Sequence, residues 1–248
     1  MSLTNAFDIF CDAALALLYP QSCAACGAES VEARADAPAC SKCWQATHVF
    51  DGDETLCWKC GALALASLPE EKRAQVRCRR CDGEAFTAAR ACGLYEGALR
   101  AAVLGLKREP FVSARVVRLL AAAQKRAPLD AATLVVPVPL HAEREQERGF
   151  NQAAVLCQSL AKSSGLPTDE HSLVRVAHSE RHRAGMDARA RRETVEDAFA
   201  VERPRLVEGQ NVLLVDDVFT TGATVSACAR ALREAGAEAV FVLTVARA

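Results

Sequence analysis

The sequence has almost no net charge and no apolar run long enough to cross a membrane. In 248 residues, 30 Lys and Arg oppose 31 Asp and Glu, a net charge of −1. This balance excludes a uniformly basic nucleic-acid binder, so any anion site must be local. No apolar run approaches the ~20 residues of a membrane span. The sequence also lacks the Gly-Lys-Ser/Thr of a P-loop and any convincing Ser/His/Asp or Cys/His nucleophile set.

The N-terminus lacks the features of an export signal. No basic residue precedes Arg34 and the apolar stretch at 13–19 is short, so we expect no signal peptide. Apolar side chains at i, i+3 and i+4 spacing predict a short amphipathic helix over the first 20 residues, packed on its own domain. The length and the 51% apolar content fit one α/β domain plus a small extra module.

Eight of the twelve cysteines form four Cys-x-x-Cys pairs, far more than random placement gives. Two such pairs complete one tetrahedral four-cysteine zinc site. The gaps of 13 and 17 residues within successive sets suit two consecutive zinc ribbons, while an interleaved cross-brace stays open. A disulfide framework is the alternative and fits poorly with a chain that is not secreted. We predict two structural zinc ions held by Cys23, Cys26, Cys40, Cys43, Cys57, Cys60, Cys78 and Cys81.

After the last cysteine pair, apolar strands begin to alternate with helices. The patterns predict strands at 90–95, 133–137 and 239–245, the second placed centrally, and helices at 97–107, 111–126 and 150–162. This alternation is typical of an α/β domain. We therefore divide the chain into residues 1–85, an N-terminal helix with a double zinc ribbon, and residues 86–248, the α/β domain.

The thirteen residues from Val212 to Thr224 carry the most informative pattern. Four apolar residues predict a buried strand, and Asp216 and Asp217 stand where it ends. A turn that opens a helix follows, formed by Thr220, Thr221, Gly222, Ala223 and Thr224. Backbone N–H groups and the positive end of the helix dipole make such a turn an anion cradle. Carboxylates just upstream can accept hydrogen bonds from sugar hydroxyls or hold magnesium through water, so the pattern indicates a phosphorylated ribose.

All thirteen positions resemble the 5-phosphoribosyl-1-pyrophosphate (PRPP) fingerprint of type I phosphoribosyltransferases. The resemblance implies a parallel sheet flanked by helices, with the 5′-phosphate on the loop 220–224. It also implies that Asp216 and Asp217 hold the 2′- and 3′-hydroxyls, that one of them favours an oxocarbenium-like ribose, and that Mg²⁺ bridges the hydroxyls and the pyrophosphate.

Two other interpretations fit these thirteen residues less well. The first strand of a receiver domain ends in a similar acidic pair, but it needs a much longer stretch of chain after it than remains here. A plain strand–turn–helix with solvated Asp caps does not explain so many hydroxyl donors in one turn.

A second group of motifs is similar to the ComF family. These motifs are Leu17-Leu18-Tyr19-Pro20-x-x-Cys23-x-x-Cys26-Gly27, Pro137-Val138-Pro139-Leu140-His141 and Arg148-Gly149-Phe150-Asn151-Gln152. The last two surround the turn after a strand, where α/β sheets bind ligands. The resemblance extends across nearly the whole chain. It implies a phosphoribosyltransferase-like protein with an N-terminal zinc module, located in the cytoplasm near incoming single-stranded DNA.

Basic residues are the candidates for holding a pyrophosphate group. Between residues 175 and 192, six arginines oppose two acidic residues, a net charge of +4. This predicts a loop like the one that closes over pyrophosphate in phosphoribosyltransferases, although a solvated basic face remains the alternative. Lys107, Arg144 and loop arginines such as Arg191 are the leaving-group candidates. The chain departs from the family pattern at Ser179, His182, Thr194 and Arg108-Glu109-Pro110.

Two functions follow from these motifs. One is an enzyme that transfers phosphoribose from PRPP to an unidentified acceptor with release of pyrophosphate, by positioning and electrostatics. The other is a non-catalytic protein of DNA uptake that uses the same anion pockets for single-stranded DNA or partner proteins. Candidates for nucleic-acid contact in the zinc module, which more often cover a ribbon's small core, are Arg77, Arg79, Arg80, Trp44 and Trp58. The acceptor, the protein partners and the oligomeric state stay open.

Overall fold

The computed structural model of the protein describes residues 20–64, 68–73, 75–176 and 198–248. The predicted N-terminal helix lies outside these ranges, as do Arg191 and most of the arginine-rich segment. Within the described ranges, none of the helices combines the length and the apolar character needed to cross a bilayer.

A parallel sheet stands at the centre of the fold. The strands, in chain order, are β1 Ala88–Ala91, β2 Leu134–Pro137, β3 Leu173–Arg175, β4 Phe199–Val201, β5 Asn211–Phe219 and β6 Ala239–Arg247. Four of them pair in parallel in the order β1-β6-β5-β2, while β3 and β4 form a separate antiparallel pair. The predicted α/β class with a parallel sheet is therefore confirmed.

Helices cover both faces of this sheet. They are α1 Ser41–Ala46, α2 Glu70–Arg73, α3 Gly97–Leu106, α4 Ala114–Gln124, α5 Ala142–Arg148, α6 Gln152–Ser164, α7 Pro204–Val207 and α8 Ala223–Glu234. Because successive side chains of a strand point to opposite faces, β5 contributes to two cores. Leu213 and Val215 pack with residues of α4 and α6, whereas Val212 and Leu214 pack with residues of α8.

The predicted central position of one strand and the predicted ends of two others are wrong. The strand 133–137 lies at the edge of the four-stranded sheet, with only an isolated bridge from Val135 to Thr168 beyond it. The first sheet strand begins and ends earlier than predicted, at Ala88–Ala91. Strand β5 does not stop before the aspartates but continues to Phe219, because β6 supplies ladder partners as far as Arg247. The following helix begins at Ala223, within the turn that was predicted to open it.

The cysteine-rich module and the α/β domain share their cores. Trp44 of the module is 2% exposed and belongs to the same buried cluster as Leu99 of α3. Backbone hydrogen bonds cross between the modules, with the Ala89 N–H donating to the Lys59 carbonyl at 2.6 Å. The boundary at residues 85 and 86 stays a prediction, and the packing on either side of it is continuous.

Candidate functional site

The eight paired cysteines form two separate four-sulfur clusters. Cys23, Cys26, Cys40 and Cys43 make one cluster, and Cys57, Cys60, Cys78 and Cys81 make the other. Within each cluster all the sulfur atoms lie within 4.8 Å of one another. The consecutive arrangement is therefore confirmed, and the interleaved cross-brace that the spacing left open is excluded.

The two clusters repeat the same local geometry. The Cys40 N–H donates to Cys23 Sγ at 3.2 Å, and the Cys78 N–H donates to Cys57 Sγ at 3.3 Å. Burial raises the pKa of the Cys23 and Cys57 thiols, but backbone N–H donors outweigh it and lower each pKa to about 6. The thiolate is the form that binds metal. Four sulfur donors with no open position fit structural zinc in both clusters.

Asp216 and Asp217 meet a lysine from a distant helix. The Asp217 N–H donates to Asp216 Oδ1 at 2.8 Å. Lys107, at the end of α3, places Nζ 3.2 Å from Asp217 Oδ2, but off the direction of a hydrogen bond. The side chain of Asp217 is only 10% exposed, so within the described residues its Oδ2 is a buried acceptor without a hydrogen-bond donor. Such an oxygen is suited to accept a hydrogen bond from a hydroxyl group of a ligand.

Asp216, next to this oxygen, has a raised pKa. Burial and then the negative charge of Asp217 raise the pKa of Asp216 to about 7, against the opposing effects of the Asp217 N–H and of Lys107. The Asp216 carboxyl is therefore close to half protonated at neutral pH. A donor that satisfies the carboxylate, such as a sugar hydroxyl, would favour its ionised form.

The turn after β5 forms the beginning of α8. Gly222 is the N-cap residue with φ of 88°, and no side chain caps the helix there. Its first N–H groups are thus available to an anion, as at other uncapped helix starts. The residues around Gly222 that were predicted to contact phosphate are all exposed: Thr220, Thr221, Ala223 and Thr224. The Ala223 N–H has only a long contact, 3.4 Å, to Thr221 Oγ1.

Phe219 explains why this turn needs a glycine. A Cβ added at Gly222 would lie 2.8 Å from Phe219 Cζ. The Arg247 guanidinium lies over the Phe219 ring, 4.6 Å from its centre. The Phe86 ring contacts the Phe219 ring edge-on, with 5.9 Å between their centres. The Phe219 ring therefore packs directly against the backbone of the turn at Gly222. Sequence reasoning missed this role, because an aromatic residue three positions before a glycine is not a recognisable signal.

The turn after β2 lies beside the acidic pair. The Val138 N–H donates to the carbonyl of Val215, the residue before Asp216, at 3.0 Å. Asn151 in turn donates from Nδ2 to the Val138 carbonyl at 3.0 Å. This explains the position of Asn151 in the second group of motifs, at the N-cap of α6.

The three residues predicted to bind the leaving group lie in different places. Lys107 is brought directly to Asp217. Arg144 is exposed on α5, and no contact among the described residues connects it with the aspartates. Arg191 lies outside the described residues.

Two domain models and several relatives match the chain. A double zinc ribbon domain model matches residues 14–93, and a phosphoribosyl transferase domain model matches residues 147–248. The DNA utilization protein YhgH of Escherichia coli K12 is 33% identical over 217 residues, which cover 84% of this chain and 89% of that protein.

Two further relatives carry competence names and match in a shorter region. Competence protein F of Haemophilus influenzae is 38% identical over 116 residues, 46% of this chain and 50% of that protein. Competence protein ComFC of Bacillus subtilis is 38% identical over 103 residues, 42% of this chain and 39% of that protein. The chain thus spans half or less of these two relatives.

A solved structure, the glutamine PRPP amidotransferase of B. subtilis, matches 52% of this chain and 25% of its own at 23% identity. The TM-score of this match is 0.37. The family assignment rests on the two domain models and on the relatives that align along most of the chain. The chain belongs to the ComF family of phosphoribosyltransferase-like proteins with an N-terminal double zinc ribbon.

Proposed function

We propose that the protein binds PRPP together with Mg²⁺ at the end of β5 and the start of α8. The observation that carries the proposal is the buried Asp217 Oδ2, which has a cation beside it and no hydrogen-bond donor, next to an exposed, uncapped helix start. In a phosphorylated ribose, the diol would donate hydrogen bonds to the Asp217 carboxylate and the phosphate would bind at the helix start.

Each group of the ligand has a proposed partner. The N–H groups and hydroxyls of the loop 220–224 hold the 5′-phosphate, and Asp216 and Asp217 accept hydrogen bonds from the 2′- and 3′-hydroxyls. Lys107, with Arg144 and Arg191 as further candidates, faces the pyrophosphate. Mg²⁺, when bound, neutralises charge between the hydroxyls and the pyrophosphate, and the oxygen-rich surroundings suit it.

The same arrangement supports transfer of phosphoribose to an acceptor. As the bond to pyrophosphate breaks, the ribose becomes positively charged, and the carboxylate of Asp216 or Asp217 stabilises that charge at close range. Lys107 stabilises the opposite charge on the departing group. We propose this as the reaction type and leave the acceptor unnamed. The domain boundary and a cytoplasmic location remain parts of the same proposal.

Calorimetry with Mg-PRPP tests the binding proposal. Asp217→Asn removes a charged hydrogen-bond acceptor, worth roughly 1.5–3 kcal/mol, so we expect affinity to fall about 10- to 100-fold. Asp130→Asn, at an exposed turn, is the matched control and should bind as the wild type does. The proposal fails if the wild type binds no Mg-PRPP, or if both variants bind it equally well.

A non-catalytic role in handling single-stranded DNA is the second candidate. It is favoured by the relatives' names, a DNA utilization protein and two competence proteins. It is also favoured by Arg77 of the second zinc ribbon, which lies 5.3 Å over the ring of Trp58. Salt-sensitive binding of an oligothymidylate that survives Asp217→Asn would support this role, whereas no oligonucleotide binding at low salt would exclude it.

A further inference from the structure

We propose that the protein has a second anion site, formed by Arg90 and Arg126 in the recess between the second zinc ribbon, β1 and α4, which takes a phosphate group. The recess has a volume of about 500 Å³. The zinc module contributes Phe50, Gly52 and Trp58 to its wall, and the α/β domain contributes the two arginines. This site is separate from the aspartates and does not depend on PRPP binding.

The two guanidinium groups have donors to spare. Arg90 donates from Nη1 to the carbonyls of Trp58 and Ala89, at 2.9 and 2.8 Å. Arg126 donates from Nη2 to the Phe50 carbonyl at 3.3 Å. In the part of the chain that the structure describes, neither guanidinium has a carboxylate within 4.0 Å, and their other N–H groups have no acceptor. The planar fork of an arginine matches a phosphate group well.

The acidic residues that line the recess are engaged elsewhere. The two carboxylate oxygens of Glu54 accept hydrogen bonds from the N–H groups of Asp51 and Gly52, both at 3.1 Å. Asp53 is 90% exposed and lies 3.5 Å from Arg73, which is itself part of the lining. Among the ion pairs of the described residues, neither carboxylate is paired with Arg90 or Arg126.

The two arginines place positive charge on the same recess. Both guanidinium groups line the recess, so a phosphate bound there lies near two positive charges.

Gly52 gives the recess its shape. Its φ is 110°, and a Cβ there would lie 3.2 Å from Arg126 Nη1. Glycine thus keeps the approach to that nitrogen open at the recess wall. The phosphate could belong to a small molecule or to a nucleic-acid backbone, and the two sources share this chemistry.

The two tryptophans of the chain supply a local test by NMR of the indole N–H groups in the full-length, zinc-loaded protein. Trp58 lines the recess, whereas Trp44 is buried in the other ribbon and donates from Nε1 to the Asp36 carbonyl at 2.7 Å. Inorganic phosphate, AMP and an oligothymidylate are titrated separately, with sodium chloride at matched ionic strength. Trp58→Phe assigns the two resonances.

We expect phosphate and AMP to shift the Trp58 resonance saturably while Trp44 stays in place. Arg126→Gln should weaken this binding at least tenfold, whereas Arg118→Gln, at an exposed arginine of α4, should not. A much tighter response to the oligonucleotide would identify the nucleic-acid backbone as the source, and a comparable response would identify a small molecule. No Trp58 shift with any phosphate ligand, the same shift with chloride, or unchanged binding in Arg126→Gln would overturn the proposal.

Discussion

Lys107 Nζ lies 3.2 Å from Asp217 Oδ2 and joins the end of α3 to β5 across the site. The lysine side chain is 37% exposed and the aspartate side chain 10% exposed. The cation is therefore within reach of a ligand, while the carboxylate it faces is almost fully enclosed. This contact connects a residue predicted to hold pyrophosphate with one predicted to hold the ribose.

Replacing Lys107 tests that connection. Lys107→Gln removes the positive charge beside Asp217, and we expect affinity for Mg-PRPP, measured by calorimetry, to fall about tenfold. Because the ion pair is partly exposed, the free energy of unfolding in urea should fall by only about 1 kcal/mol. Lys125→Gln, an exposed lysine at the end of α4, is the control and should change neither quantity. Unchanged affinity in Lys107→Gln would contradict the assigned role.

The raised pKa of Asp216 predicts that Asp216→Asn stabilises the protein at alkaline pH. The pKa is about 7 in the folded protein and 3.8 ordinarily, so ionisation favours the unfolded chain. The destabilising effect is absent below about pH 4, grows as pH rises, and is complete above about pH 7. We expect Asn to raise the free energy of unfolding by roughly 1–3 kcal/mol at pH 8.

Urea unfolding of wild type and Asp216→Asn at pH 4.5 and pH 8 measures this difference. Asp130→Asn, at its exposed position, should show no comparable dependence on pH. An advantage for Asn at pH 4.5 that disappears at pH 8 would mean that the sign of the shift is wrong.

Alanine substitutions at Gly222 and Gly149 distinguish the cost of backbone strain from the cost of a steric clash. Gly222→Ala introduces a Cβ at φ of 88° and 2.8 Å from the Phe219 ring, whereas Gly149→Ala introduces one at φ of 80° in open space. Both should lose about 1 kcal/mol from the strained backbone. Only Gly222→Ala should lose more than this and also bind Mg-PRPP less tightly. Equal unfolding free energies with equal PRPP affinities in the two variants would contradict the assigned fit.

Zinc should support the α/β domain as well as the ribbons. The buried cluster that holds Cys57, Cys60 and Cys81 also contains Phe86 and Phe219, so loss of this zinc loosens packing under the ligand site. We expect about two zinc ions per chain by elemental analysis, and about one in Cys81→Ala, together with a lower thermal midpoint. Cys157→Ala, at a buried cysteine outside the clusters, should keep both ions. Full zinc content in Cys81→Ala would refute the grouping.

Features set by local chemistry were predictable from the sequence. The spacing of Cys23 and Cys26, repeated in the other pairs, predicts that the two sulfur atoms of each pair bind the same metal. Which pairs combine was open in the sequence, and the structure groups them as consecutive ribbons. The run from Val212 to Val215 is buried on both faces, as expected for an inner parallel strand. The order of strand, acidic pair, turn and helix is likewise local.

Features that depend on distant partners were not predictable. β5 continues past Asp217 because β6 lies beside it, and nothing near Asp217 in the sequence announces that neighbour. The pairing of Lys107 with Asp217 joins two segments that only the fold brings together. The strand order puts β2 at the edge, although its four residues are all buried, so its apolar pattern alone does not reveal that position.

The position of a bound PRPP molecule tests the central claim most directly. In a crystal structure of the protein grown with Mg-PRPP, we predict the 5′-phosphate at hydrogen-bond distance, about 3 Å, from the N–H groups of the loop 220–224. The ribose diol should lie on the carboxylates of Asp216 and Asp217. A phosphate bound elsewhere, or a diol turned away from both aspartates, would contradict the account.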